Sequence, residues 1–339
     1  MIDRGLRAAN QAERFCSKRS NAVRRMQVPQ LTPMICSSAP MQETRNNLRK
    51  AACSDCTVLI TGETGTGKEL AAEFIHANSS RHSEAFVCIN CAAIPDSLLE
   101  AELFGHTKGA FTGADTVRDG LLFAANGGTV FLDEIGDMSS MAQAKILRVL
   151  ENREVCRIGG NRVTQLNIRF LAASNQRLED MVSIGTFRKD LFFRLNVARI
   201  HLPPLRERKE DIPLLLRHYC ENFRREPAAP EPEFSEESLQ CFLRYDWPGN
   251  IRELKNTVEW LLLGDVPHQI NPEHLPSHLR AIIQTNASLS DDERSALLSA
   301  LFSAKWNKSQ AAKKLHWSRM TLYRKLAKYQ ISEDSKSEQ

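Results

Sequence analysis

Two groups of residues in this chain have the types and spacing to do chemistry on a phosphate. The first is Gly62-Glu63-Thr64-Gly65-Thr66-Gly67-Lys68-Glu69, which follows an apolar run at 57–61 and opens a helical stretch at 70–76. Glycines so spaced let backbone N–H groups wrap a phosphate, the helix N-terminus adds its dipole, and Lys68 reaches the outer phosphates. A Gly-rich turn before a helix would explain the glycines, but not a lysine at this spacing on a strand-to-helix junction. Loops of this kind normally end in Ser or Thr, whose hydroxyl holds magnesium, and here the position is Glu69. The second group is Asp133-Glu134, at the end of the run Thr129-Val130-Phe131-Leu132. Ligands of open parallel sheets bind at the carboxyl ends of strands, so Asp133 can hold Mg²⁺ while Glu134 polarises an attacking water. Alone, such a pair is often only a helix cap; the glycine loop upstream gives it its meaning.

These residues need a sheet to hold them. Runs at 57–60, 86–89, 129–132 and 169–172 read as strands separated by helical patterns, which implies a parallel sheet with right-handed crossovers. After Pro203-Pro204 the strand pattern stops, and residues 211–264 read as helices broken at 227–232 and at Trp247-Pro248-Gly249. Asn250 and Glu253 have the spacing of a capping box. The expected organisation is a basic, poorly ordered segment at 1–33, an α/β nucleotide-binding subdomain at 34–205, a helical lid at 206–275, a linker at 276–288, a DNA-binding domain at 289–332 and a tail at 333–339.

The last block carries its own chemistry. From Lys305 to Lys328 there are eight Lys or Arg and no Asp or Glu. Residues 289–302 read as an amphipathic helix through Leu289, Leu297, Leu298 and Leu301, followed by helices at 309–315 and 318–328 around the short turn His316-Trp317. That is helix-turn-helix spacing, with Ser318 as N-cap of the recognition helix. Arg319, Met320, Thr321 and Arg324 would face base edges or phosphates; Lys308, Ser309, Lys313, Lys314 and Lys325 would contact the backbone. A basic helical hairpin serving only in packing is the plainer alternative.

Composition excludes some classes. The 339 residues carry a net charge of only +4, so the whole-chain charge says little about partners. No apolar run approaches the roughly 18–20 residues of a membrane span, and the N-terminus lacks a signal peptide's apolar core. Nine cysteines, an odd number, point to reduced thiols in the cytoplasm. Cys53-x-x-Cys56 and Cys88-x-x-Cys91 raise zinc, but Cys88 lies in a strand pattern, where residues three apart face opposite ways. Arg4, Arg7, Arg14, Lys18, Arg19, Arg24 and Arg25 read as a solvated tail rather than a nucleic-acid contact.

Between the two phosphate-binding groups sits Gly109-Ala110-Phe111-Thr112-Gly113-Ala114, preceded by Glu102-Leu103-Phe104-Gly105-His106. This hexapeptide resembles the surface loop of sigma-54-dependent transcription activators, and the loop at 62–69, including Glu69, resembles theirs. The similarity runs from about residue 34 to 330. It implies an AAA+ ATPase with a helical lid, followed by a small all-α Fis-type helix-turn-helix, that uses ATP and Mg²⁺. Residue by residue, the resemblance makes Asn90 a switch restraining Glu134, Asn175 a sensor of the terminal phosphate, Arg188 and Arg194 the arginines reaching a neighbour's nucleotide, and Arg252 the second sensor. His316 stands where the helix-turn-helix usually has Gly.

The implied mechanism is mechanical. An arginine supplied in trans stabilises the transition state, so the site is complete only between subunits, and a closed ring, a hexamer by family norm, is expected. Phosphate release would move the loop at 109–114, which would contact the sigma-54 RNA polymerase holoenzyme and remodel its closed promoter complex, while the C-terminal module holds upstream double-stranded DNA. Two other readings compete: a DNA-binding repressor or co-regulator whose ATPase domain is a sensor, and an AAA+ remodeller of some other protein. Intact Lys68, Asp133, Glu134 and the whole loop oppose the first; the basic C-terminal helices oppose the second. With only about 33 residues before the motor, too few for an independent core, no attached sensor domain is expected, and control would come from expression or a regulatory protein acting in trans.

Overall fold

The computed structural model describes residues 23–26, 34–111, 113–223, 232–263, 268–281, 297–301, 303–304, 306–315 and 317–328. They divide into two compact units, one of residues 1–227 with 246–262 and one of residues 228–245 with 263–339.

In chain order the first unit holds β1 (Val23–Met26), α1 (Ala39–Ala52), β2 (Val58–Thr61), α2 (Lys68–Ala77), β3 (Phe86–Asn90), α3 (Asp96–Phe104), β4 (Gly105–His106), β5 (Arg118–Asp119), α4 (Leu121–Ala124) and β6 (Thr129–Asp133). It continues with α5 (Ser140–Asn152), β7 (Glu154–Cys156), β8 (Val163–Gln165), β9 (Arg169–Ser174), α6 (Leu178–Ile184), α7 (Lys189–Leu195), β10 (Ala198–His201) and α8 (Ile212–Phe223). In the second unit follow β11 (Glu233–Phe234) and α9 (Glu236–Arg244). The chain then returns to the first unit for α10 (Asn250–Leu261), and β12 (Gln269–Ile270), α11 (Lys308–Lys314) and α12 (Arg319–Lys328) complete the second.

A six-stranded sheet, ordered β1-β3-β6-β9-β2-β10, organises the first unit. Every pairing in it is parallel except β1 with β3. Because side chains alternate along a strand, each strand feeds two cores. Val87, Ile89, Val130, Leu132, Phe170 and Ala172 face α3, α5 and α7, through Leu99, Leu103, Ile146, Leu150 and Leu191. Phe86, Cys88, Phe131, Leu171, Val58 and Ile60 face α1 and α2, through Leu48, Ala71, Ala72 and Ile75. This three-layer α/β/α arrangement is the expected parallel sheet. It also separates Cys88 from Cys91, which lie in different cores.

Two expectations need correction. Residues 23–26, read as part of a structureless lead-in, form an antiparallel edge strand with Arg24 opposite Cys88. The basic pair Arg24-Arg25 hid the segment, since an edge strand draws its hydrogen bonds from the backbone and needs no apolar run. Nor do strands stop at Pro204: Glu233–Phe234 and Gln269–Ile270 pair as a small parallel sheet in the second unit. Two residues are too few to show a period of two.

In the same unit, residues 297–301 are helical and pack through Leu297, Ala300 and Leu301 with Trp306, Ala311, Ala312, Leu322 and Leu326. Residues 289–296, which would open that helix, lie outside the described residues, as do Thr112 and His316.

Candidate nucleotide site

The strand β2 delivers Thr61 into a loop whose glycines take conformations that only they accept readily. Gly65 has φ +80°, and a Cβ there would sit 2.3 Å from the carbonyl oxygen of Gly249. Gly67, φ +101°, is N-cap of α2, so the loop ends at the positive end of a ten-residue helix. Thr64, Gly65, Thr66, Gly67, Lys68 and Glu69 line a cavity of about 550 Å³ together with Asp133, Glu134 and Arg252. Gly62 and Glu63, expected among the nucleotide contacts, do not line it; the Glu63 carboxylate instead takes a two-pronged bond from Arg206, at 2.7 and 2.8 Å, which holds it down at about 2. The rest of the lining includes Met34, Ile35, Met41, Leu202, Leu215, Tyr219 and Phe223, with His218, Asn222, Lys255 and Asn256. Its apolar part suits a flat base and was not legible in the sequence, because its members come from four separate segments.

Lys68 is buried, its Nζ 3.0 Å from the Gly62 carbonyl oxygen and 3.3 Å from Glu134 Oε1. The other Glu134 oxygen accepts the Asn175 backbone N–H at 2.9 Å. Glu134 itself sits at φ +51°, a left-handed conformation that a branched-off carboxylate holds only when its surroundings impose it. Asp133 next to it has one buried oxygen, Oδ1, with no hydrogen-bond partner. Burial first, and the Glu134 charge second, push Asp133 up to about 6. A divalent cation would answer both features, so the residues present fit Mg²⁺ held between one carboxylate and a nucleotide's phosphates.

Asn175 also donates from Nδ2 to Thr64 Oγ1 at 3.0 Å, tying the end of β9 to the phosphate loop. Asn90 ends β3 opposite Asp133 in the ladder. Its side chain, however, does not hold Glu134: Oδ1 caps the short turn Cys91–Ala93, accepting from the N–H groups of Ala92 and Ala93. The local cap is made within three residues and needs no tertiary partner. The capping box expected between Asn250 and Glu253 does not form; the helix start lies one residue earlier. Glu253 does accept the Gly249 N–H, at 2.8 Å, but Gly249 is the N-cap, and Asn250 lies at φ +53° with its amide directed at the phosphate loop. Neither Arg188 nor Arg194 lines the cavity. Both are exposed on or beside α7, Arg188 paired with Asp190 at 2.7 Å and Arg194 donating to the Leu150 carbonyl at 3.3 Å.

The hexapeptide at 109–114 lies between β4 and β5. Gly109 (φ +81°) and Gly113 (φ +98°) turn the chain at both ends, and Gly109 N–H donates to the Ala114 carbonyl. Ala114 is buried while Phe111 is 42% exposed, edge-on to the His106 ring at 5.0 Å. The stem is gripped from the side: the Thr107 N–H donates to the Ile158 carbonyl, and the Ile158 N–H to the Gly105 carbonyl.

In the C-terminal block, Ser318 caps α12 through the Thr321 N–H at 3.1 Å. Asn307, which sequence reading passed over, caps α11 through Ser309 and Gln310. Arg319, Met320 and Arg324 are exposed along α12, and Thr321, half-buried, bonds Ser318. Tyr323, 52% exposed, was missed, although it follows Arg319 by four residues and so shares its face. Lys313 is exposed, and Ser309 and Lys325 are half-buried. Lys308 lies over the Tyr323 ring and Lys314 bonds Ser303.

With this geometry in place, the comparisons with known proteins decide the family. The Sigma-54 interaction domain matches residues 34–201, the AAA+ ATPase lid domain residues 206–292, and the Fis family of bacterial regulatory proteins residues 288–329. The transcriptional regulatory protein ZraR of Salmonella typhimurium is 45% identical over 301 residues, covering 87% of this chain and 68% of ZraR. The chain belongs to the sigma-54-dependent activators. The DNA-binding transcriptional regulator NtrC of the same organism is 42% identical over 326 residues, with 87% and 70% covered. Among solved structures, NtrX from Brucella abortus in complex with ATP aligns over 96% of this activator and 74% of its own chain, with a TM-score of 0.66 and 30% identity. Its AAA+ class is that of an ATPase. Among the described residues no helix is long and apolar enough to cross a membrane.

Proposed function

We propose that this activator binds upstream DNA through α11 and α12, assembles into a ring, and uses ATP hydrolysis to open promoter complexes of the sigma-54 holoenzyme. The observation that carries it is the pairing, within one unit, of a phosphate cavity with a separate exposed Phe111 framed by two glycines at positive φ. A partly apolar loop outside the cavity has something to bury against a partner and freedom to move.

In hydrolysis, backbone N–H groups of 64–68 and Lys68 hold the outer phosphates, and Glu134 takes a proton from the attacking water. Asp133 would hold Mg²⁺, which when bound neutralises charge developing on the phosphates. Asn175, bonded to both Glu134 and Thr64, registers where the terminal phosphate sits. Arg252 lines the cavity from α10. Arg188 and Arg194, exposed and away from the cavity, are free to serve a neighbouring subunit's nucleotide, which is why a ring is needed. Phosphate release would then move the loop at 109–114, whose stem is held by Ile158.

The test compares two variants in ATP turnover and in open-complex formation on a sigma-54 promoter. Phe111→Ala should keep turnover within about twofold of wild type and lose activation, whereas Lys68→Ala should lose both. Normal activation by Phe111→Ala would remove the loop as the coupling element and favour a regulator whose ATPase domain only senses.

A further inference from the structure

Three consecutive carbonyls of the phosphate loop are held from outside the loop. Thr64 O accepts from Asn250 Nδ2 at 3.0 Å, Gly65 O from the Ile251 N–H at 3.0 Å, and Thr66 O from Arg208 Nη2 at 2.9 Å. In a peptide chain, fixing a carbonyl one way turns the neighbouring N–H the other way. Drawing these oxygens outward therefore turns the Gly65 and Gly67 N–H groups the other way, as phosphate binding needs, while the Thr66 N–H donates to the Glu63 carbonyl at 3.3 Å.

Asn250 is the hub of this arrangement. It is fully buried, at φ +53°, and is the first residue of α10. Its Oδ1 accepts the Leu205 N–H at 2.8 Å; its Nδ2 donates to Thr64 O and, at 3.2 Å, to Glu63 Oε2, whose carboxylate is forked by Arg206. On the far side of Thr64, its hydroxyl accepts from Asn175, whose N–H holds Glu134. A hydrogen-bonded path thus runs from Glu134 through Asn175, Thr64 and Asn250 to residues 205–206 and α10.

We propose that Asn250 is a positioning residue that pre-sets the phosphate loop for nucleotide and ties its shape to residues 205–206 and α10. This rests on the loop being the ATP site. When the Asn250 amide is lost, the Thr64 carbonyl can turn inward, its oxygen then faces phosphate oxygens, and the loop must be reordered on each binding event. The cost falls on binding rather than on the chemical step, because Asn250 touches neither Glu134 nor Asp133.

Two variants of the full chain separate the contributions. Asn250→Gly keeps the left-handed backbone at no steric cost and deletes every side-chain bond. Asn250→Asp keeps the shape and the acceptor for the Leu205 N–H but sets a carboxylate oxygen against Thr64 O and Glu63. Both should raise the Kd of a fluorescent ATP analogue and the KM for ATP by roughly tenfold, the loss of one or two buried hydrogen bonds. At saturating ATP, kcat should stay within about threefold. An unchanged KM with lowered kcat, or a KM rise no larger than the fall in kcat, would overturn the proposal. Should neither variant fold, Arg206→Met, on the exposed side of the same cluster, should raise KM about threefold through Glu63, and an unchanged KM there would equally overturn it. Lys68→Ala is the reference for the site itself. If it still binds the analogue like wild type, the nucleotide reading fails; if it loses binding while the Asn250 variants keep it, only the positioning role fails.

Discussion

Replacing Asp133 by Asn should make the nucleotide-free protein more stable while destroying its hydrolytic activity. Burial and the neighbouring Glu134 raise the Asp133 carboxyl from 3.8 to about 6. That rise corresponds to roughly 3 kcal/mol of destabilisation of the charged form by folding. The sign follows from the direction. The folded chain binds this proton more tightly than the unfolded chain, so the associated stability is complete below about pH 4 and is lost as pH rises through about 6. At about pH 7.5 the folded protein therefore carries a charge it holds unfavourably, with Oδ1 buried and unbonded. Asparagine keeps the shape and removes the charge. Partial solvent access reduces the ceiling, so a gain of about 1–2 kcal/mol is expected, a rise of roughly 3–6 °C in Tm for a unit of this size. Calorimetry at about pH 7.5 and again near pH 5, where wild-type Asp133 is largely protonated, should show the difference shrinking. With MgATP added, wild type should gain more stability by mass action than the variant, which keeps Lys68 and the phosphate loop but lacks the carboxylate for the cation. If Asp133→Asn unfolds at a lower temperature than wild type at neutral pH, or if its advantage is as large at pH 5, the argument from burial is wrong.

Three further outcomes follow from the same geometry. Glu134→Gln should bind ATP but hydrolyse it at least about a hundredfold more slowly, since the water loses its base, measured by phosphate release alongside equilibrium binding. Arg194→Ala and Glu134→Gln subunits, each inactive alone, should regain partial turnover when mixed, at interfaces pairing an intact arginine with an intact base; no recovery at any ratio would point to an arginine acting in cis or to rings that do not exchange subunits. Buried His76, held down to about 4 chiefly by burial, contributes stability that is present above about pH 6.5 and lost as pH falls toward 4. His76→Gln should accordingly flatten the acid side of the stability profile by up to about 3 kcal/mol, read from urea unfolding across that window.

Much of this protein is written locally. The phosphate loop is a strand, a run of glycines and a helix start, all within contiguous residues 57–77, so backbone sterics and the helix dipole make it readable without a fold. The largely apolar runs at 86–89, 129–132 and 169–172, separated by helical patterns, implied a parallel sheet, and Ser318 announced α12 because an N-cap acts three residues away. What the sequence could not decide is where side chains go when their partners are distant. Asn250 had the spacing of a local cap paired with Glu253, but Glu253 caps the preceding Gly249 N–H instead and Asn250 turns elsewhere. Its actual partners, Leu205, Thr64 and Glu63, lie 45 to 187 residues away. The local cap that Asn90 makes on Ala92 and Ala93 was also not anticipated. The apolar wall at Met34, Met41, Leu215 and Tyr219, the clamp of Arg208 on Thr66, and the edge strand at 23–26 likewise exist only once the chain has closed on itself. Short-range hydrogen bonding and periodicity are properties of neighbouring residues; convergence on a cavity is a property of the packed chain.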